Sequence, residues 1–400
     1  MPLILTFLMT LLLTGCAVMP ASTVCPPSPS CPTCPVCPVV EPPKPEVKPL
    51  QPAAWSDLPD WTSDDPLPAF EAFRASCATL VKRPLWRASC ESALTAKVGA
   101  GDTARAWFEG QLQPWALTQP DGSRTGLVTG YYEPLIRGSR AKKTPYLTPV
   151  FAPPADLIVV ELDTLYPELK HLRLRGRIEG RKLVPYHDRA AWTVQETQRA
   201  DAALLWVDDP LDFFFLQIQG SGQVLLDDGS RVRIGYADQN GHPYRSIGKW
   251  LIEQNELRAH EASMQGIKAW AVANPRRLQE LLNVNPSMVF FRELPAPRDG
   301  AGAIGSGPPG ALGVPLTPER SIAVDPRHVP LGAPVWLATT QPNSEQTLTR
   351  LMLAQDTGGA IKGAVRADFY WGSGVAAGNQ AGRMKQRGMM WVLLPRGHLP

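Results

Sequence analysis

Between Arg320 and Pro395 the chain carries five short apolar runs, RSIAVDP, APVWLAT, RLMLAQD, DFYWG and MMWVLLP. Each is too short for a stable helix and is bounded by Pro, Gly or Asp, which is the pattern of buried strands. Their spacing is that of a small closed β-barrel, a form that leaves no sheet edge unpaired. The whole sequence has 400 residues, 44% of them hydrophobic, with 12 tryptophans. That is enough to bury a substantial core and to build two or three domains.

Upstream of the runs the pattern is mixed. DPLPAFEAFRASCATLV has Asp65 ahead of Pro66, a capped helix start, and TARAWFEGQLQPWAL has apolar residues at roughly helical spacing up to its proline. From Gly126 the character turns to strand: GLVTGYYEPLIRGS reads as a strand ending in a turn. FFFLQIQGSGQVLLDDGSRVRIGYA reads as two or three strands with DDGS as a hairpin turn. In that reading Gln217 and Gln219 lie two apart and share one strand face. They are either amides that read sugar hydroxyl and N-acetyl groups or a solvated polar face. Helical stretches return in SIGKWLIEQNEL and SMQGIKAWAVANPRRLQELLNVNP, SMVFFREL is a short strand, and Pro295 to Gly313 is a Gly- and Pro-rich loop.

The N-terminus reads as an address. Residues 3 to 13, LILTFLMTLLL, are too few for a comfortable membrane span and run into LTGC, which ends at Cys16. LTGC resembles a bacterial lipobox, although no basic residue precedes the apolar run. The resemblance implies a signal peptide over 1–15, a diacylglycerol on Cys16, and, with Ala17 following, an outer-membrane anchor facing the periplasm; the alternative is an uncleaved leader with a chance cysteine. Residues 16–57 read as a linker, with 12 prolines in the 33 residues from Pro20 to Pro52. Cys25, Cys31, Cys34 and Cys37 lie within it. Their spacing invites a metal, but a proline follows each and no fourth ligand sits in a matching pair, which leaves oxidation or acylation as the other readings. Cys77 and Cys90 form a separate pair and a disulfide candidate in an oxidising compartment. With 40 basic against 37 acidic residues and no basic run, nucleic acid is excluded as a partner.

TGYYEP, FFFLQIQGSGQVLLDDGSRVRIGYADQNGHPYRSIGKWL, NPSMVFFRE, SIAVDPRHVPLGAPVW and AQDTGGAIKGAVRADFYWG resemble the successive motifs of the membrane-bound lytic transglycosylase A (MltA) family, from about Leu58 to Leu394. The last segment, about 311–395, is similar to the 3D domain of that family, named for three aspartates, here Asp325, Asp356 and Asp368. The resemblance implies a mainly β fold with helices. A double-psi β-barrel domain (58–148 and 283–400) would carry a second, smaller inserted β-barrel (149–282), with a groove between them for the glycan.

The resemblance also implies a reaction without water, in which the 6-hydroxyl of the murein sugar closes a 1,6-anhydro ring. One carboxyl group then serves as acid and afterwards as base, where a hydrolase needs two. Asp368, beside Phe369, Tyr370 and Trp371, is the choice for that group, since desolvation would raise its pKa; otherwise it is an aspartate solvated at a strand start. Asp356 is assigned positioning and electrostatic tuning, or else bonds its own following amides. Asp325, in DPRHVPLG, reads as scaffolding, and His328 as a bystander. Tyr131, Tyr132, Glu133, Gln217, Gln219, Ser221 and Gly222 are candidate substrate contacts, each with core packing as its alternative. Lys362 and Arg366 either meet murein carboxylates or are solvated charges. No cofactor or metal is expected: the six histidines are scattered and no H-E-x-x-H occurs. Murein glycan strands are the expected partner, with cell-wall synthesis or scaffold proteins as further ones. The competing reading is a non-catalytic peptidoglycan-binding outer-membrane lipoprotein.

Overall fold

The computed structural model of the chain describes residues 48–169, 172–196, 198–295 and 306–398. Cys16, the signal peptide and the linker cysteines Cys25, Cys31, Cys34 and Cys37 lie outside the described residues. The end of the expected linker is not unpacked chain: Leu50–Pro52 form strand β1, antiparallel to β2 (Leu112–Leu117). Proline is tolerated there because β1 is an edge strand. Trp55 then packs on Trp61 with ring centroids 4.8 Å apart.

Three helices follow β1: α1 (Leu67–Leu80), α2 (Arg87–Thr95) and α3 (Gly101–Gln111). Pro66 is the N-cap of α1, one residue later than expected, and Asp65 before it accepts from the Leu67 amide at 3.0 Å. Phe70, Phe73, Trp86, Trp107 and Phe108 are buried together between the helices. Cys77 on α1 and Cys90 on α2 are joined by a disulfide. After β2 the chain enters β3 (Gly126–Glu133), the first strand of the barrel.

At Pro134 the chain leaves the barrel. A second sheet of six strands is ordered β12-β11-β10-β4-β9-β5: β4 (Leu135–Ser139), β5 (Thr148–Phe151), β9 (Ala203–Val207), β10 (Ser221–Leu226), β11 (Arg231–Gln239) and β12 (Val289–Leu294). A three-stranded sheet of β6 (Ile158–Val159), β7 (Arg175–Glu179) and β8 (Lys182–Pro185) stands apart. Around these run α4 (Arg189–Gln195), α5 (Pro210–Gln219), α6 (Ile247–Glu253), α7 (Met264–Ala273) and α8 (Leu278–Asn283). Phe151 on β5 and Phe290 on β12, at opposite ends of the strand order, both pack against Trp192 of α4, at 5.4 and 5.1 Å between centroids. The sheet is thus curled around that tryptophan. It is wider than the expected 149–282, because β4 and β12 pair with its other strands and not with the barrel.

The segment FFFLQIQ is helical, not a strand: it lies in α5. Asp209 caps it, accepting from the amides of Leu211 and Asp212 at 2.8 and 3.0 Å, Pro210 opens its first turn, and Gly220 closes it at φ 81°. Residues two apart on a helix point roughly 200° apart, so Gln217 and Gln219 do not share a face.

The five C-terminal runs are all strands: β13 (Ser321–Val324), β14 (Pro334–Thr340), β15 (Thr347–Asp356), β16 (Arg366–Ser373) and β17 (Lys385–Pro395), with α9 (Gly374–Ala381) between the last two. With β3 they close a ring, β3-β16-β13-β15-β14-β17 and back to β3, in which β3–β16 and β13–β15 are parallel and the other pairs antiparallel. Val128, Ile322, Val324, Val335, Ala367, Phe369 and Val392 point into one core shared with the N-terminal helices. Among the described residues no helix is long and apolar enough to cross a membrane.

Candidate active site

Because side chains alternate along a strand, the residues between those core positions point out of the barrel. On β16 that residue is Asp368, level with Thr129 of β3 on one side and with Ala323 of β13 on the other. Ala323 is in turn level with Asp356 of β15. One row across four strands therefore reads Thr129, Asp368, Ala323, Asp356. A bulge makes the row possible. Ile322 is level with Ala354 but Ala323 with Asp356, so Gln355 is the extra residue, its fully buried side chain bonded to Ser321 and Ser76. A regular ladder would have set Gln355 opposite Ala323 and moved Asp356 out of the row.

Asp368 has one hydrogen-bond donor among the described residues, the Thr129 hydroxyl at 2.6 Å from Oδ1. Its pKa is pushed up to about 6, first by burial and also by the Asp356 charge, against the lowering effects of Thr129 and Arg366. Around pH 6 it is therefore divided between acid and carboxylate. The Arg366 guanidinium donates to Thr129 Oγ1 at 2.9 Å and to backbone carbonyls, and its burial lowers its own pKa.

Asp356 is held differently. Its Oδ1 accepts from the amides of Ala311 and Thr357, both at 2.9 Å, and its Oδ2 from the Tyr131 hydroxyl at 3.1 Å. Burial raises its pKa, with these three donors opposing. Tyr131 lies 5.2 Å, centroid to centroid, from Tyr370, and burial beside Asp356 holds its hydroxyl well above the ordinary phenol range. Asp325 lies in the turn after β13. It accepts from Arg327 Nη2 at 2.6 Å and the Gly363 amide at 2.9 Å, which hold its carboxyl well below the usual range.

The other expected contacts are scattered. Glu133 is buried, not open to a ligand: Arg233 of β11 grips it in bidentate fashion at 2.6 and 2.9 Å and Gln223 donates at 2.8 Å. Gln217 is buried and accepts from Arg189 at 2.6 Å. Gly222 faces α5, where an added Cβ would stand 2.3 Å from Leu216, so the glycine serves helix packing and not close approach of a sugar. Ser221 is half-buried at the start of β10. Gln219 accepts from the Tyr132 amide at 3.1 Å, and both line a cavity of about 260 Å³ with Gly130, Tyr244 and Met264. By alternation Tyr132 and Gly130 point to the opposite face of β3 from Thr129, so this cavity does not hold the carboxylates. Lys362 is exposed and His328 half-buried.

Sequence reasoning missed Thr129 and Ala323. Small residues in apolar strands carry no chemical signature, and only the register across the ring exposes their part. The arrangement defines a protein with a closed β-barrel, a long insertion after its first strand, and a desolvated carboxyl group beside a second one on the barrel's outer face.

Comparison with known proteins identifies the family. The MltA specific insert domain matches residues 127–292 and the 3D domain residues 320–394. The membrane-bound lytic murein transglycosylase A of Escherichia coli K12 is 32% identical over 304 residues, covering 74% of this chain and 72% of the relative. The crystal structure of MltA from Neisseria gonorrhoeae is 36% identical with a TM-score of 0.74, covering 88% of this chain and 92% of that one. That of E. coli MltA with bound chitohexaose is 27% identical with a TM-score of 0.63, covering 87% and 95%. The chain belongs to the MltA family.

Proposed function

We propose that Asp368 is the single acid and base of a glycan-cleaving reaction in which water takes no part. The chain is a lytic murein transglycosylase, an enzyme that cleaves peptidoglycan. The observation that carries the assignment within it is the desolvated Asp368 in one row with Asp356, its pKa raised to about 6.

The bond broken is the MurNAc-β-1,4-GlcNAc linkage. Asp368 gives its proton to the glycosidic oxygen as the C1–O bond breaks. The MurNAc 6-hydroxyl then attacks C1, and its proton returns to the Asp368 carboxylate, so that acid is regenerated and a 1,6-anhydro ring is left. Asp356, fixed by two amides and Tyr131, stabilises the positive charge that develops at C1 and keeps the proton on Asp368. Tyr131 reaches the sugar from beside Asp356. The bound chitohexaose of the E. coli relative supports a glycan strand as the ligand. A lipid on Cys16 and an outer-membrane location facing the periplasm are supported by LTGC and by the relatives' name, membrane-bound.

The test is digestion of purified murein sacculi by the full-length protein in detergent and by Asp368→Asn, with released muropeptides weighed by mass spectrometry. Products lighter by one water than hydrolysis products, absent with the variant, are expected. Reducing-end products would make the enzyme a hydrolase. Binding by both proteins without release would make it a glycan-binding lipoprotein.

A further inference from the structure

Thr129 stands between a cation and the acid. Arg366, two residues before Asp368 and so on the same face of β16, donates from Nη2 to Thr129 Oγ1 at 2.9 Å, while its Nη1 is held by the carbonyls of Leu127 and Ala367. A guanidinium has donors only, so the Thr129 oxygen must accept from it. A hydroxyl carries one hydrogen. Among the described residues the acceptor it reaches is Asp368 Oδ1, at 2.6 Å. The hydrogen in that bond is then threonine's. A proton on Oδ1 would displace it and take from a partly buried donor the acceptor it has among the described residues. Asp368 Oδ2 has no hydrogen-bond partner among the described residues, and the neutral acid keeps its proton there.

We propose that Thr129, oriented by Arg366, is a positioning residue that ties down Asp368 Oδ1 and thereby makes Oδ2 the oxygen that delivers the proton and takes it back. This rests on the reading of Asp368 as the acid. In the first half of the reaction the proton leaves Oδ2 for the glycosidic oxygen as the C1–O bond breaks. In the second, Oδ2 receives the proton of the 6-hydroxyl as that oxygen bonds to C1. The pinned carboxyl cannot turn between the two halves, so one oxygen serves both. The charged and titratable groups facing Asp368 are Arg366 on its own strand, Tyr131 on β3 and Asp356 on β15 beyond Ala323; the exposed Lys385 on β17 is level with Thr129, one strand further away.

The experiment compares Thr129→Val, Thr129→Ser, Arg366→Met and Asp368→Asn in the full-length protein, with soluble glycan oligomers, following anhydro products over pH 4 to 9. Thr129→Val is expected to lower kcat about 10- to 100-fold with KM within about twofold, and to move the alkaline limb of the profile upward, because a group that favours the carboxylate is gone. Thr129→Ser restores both, and Arg366→Met shifts the limb in the same direction by a smaller step. Wild-type turnover and an unmoved limb in Thr129→Val overturn the proposal, as does a Thr129→Ser protein no better than the valine variant. If melting shows that Thr129→Val does not fold, Arg366→Met decides alone: an unmoved limb there overturns it. An active Asp368→Asn instead brings down the assignment of the acid, whatever Thr129 does.

Discussion

Asp356 and Asp368 sit on strands that do not touch, yet both stand level with one residue, Ala323, on the strand between them. With strands about 4.8 Å apart, their Cα atoms are roughly 10 Å apart, and the methyl group of Ala323 is what separates the two carboxyl groups along the row. Each is close enough to affect the other's charge, and neither blocks the other.

Ala323 is therefore predicted to tolerate nothing larger. Ala323→Val adds two methyl groups to a position 4% exposed, at a stability cost of about 1–3 kcal/mol. Activity on sacculi should fall more than about tenfold while circular dichroism still reports a folded protein. Equal activity in Ala323→Val and wild type would mean that the space between the carboxylates is not used.

Asp356→Asn should lower the pKa of Asp368, since the Asp356 charge is one of the causes that raise it. The general acid is competent below its pKa and lost as pH rises through it. The alkaline limb of the profile is thus expected at lower pH than in wild type, opposite in direction to Thr129→Val. The check is the pH dependence of kcat/KM for the two variants side by side.

Glu133 and Arg233 tie the barrel strand β3 to β11 of the second sheet, and Arg233 also donates to the Ser306 and Gly307 carbonyls. Both side chains are buried. Arg233→Met leaves Glu133 as an uncompensated buried charge and should cost about 3–5 kcal/mol in urea unfolding, whereas Glu133→Leu with Arg233→Met should recover much of it. An Arg233→Met protein with an unchanged unfolding midpoint would show that the pair is dispensable.

The Cys77–Cys90 disulfide closes a sequence separation of 13 residues. Chain entropy assigns such a loop about 3 kcal/mol. Replacing both cysteines by serine should lower the melting temperature by several degrees, with the same anhydro products released below it. The measurement is paired calorimetry and product analysis of the double variant.

Much of the fold was legible because it is written in local pattern. The runs around Ile322, Trp336, Met352, Phe369 and Trp391 are short, apolar and punctuated, and all became barrel strands. The segment from Phe213 to Gln219 misled because a continuous apolar run has no period to read, although Asp209, Pro210 and Gly220 were helix signals in plain view. Asp356 and Asp368 were readable as chemistry, but their sharing of a row was not, since it depends on a bulge at Gln355 that no spacing announces. Between its two readings Glu133 stayed undecided for a related reason: its partner lies 100 residues away, and only folding brings a buried cation to it.

The ring's closure has a consequence for biogenesis. β3 is its earliest strand, and both of its neighbours, β16 and β17, are made last. Thr129 waits across 239 residues of chain for Asp368. A nascent polypeptide that has not yet reached β16 cannot own the assembled row, which comes into being only once β16 and β17 have been made and have found β3.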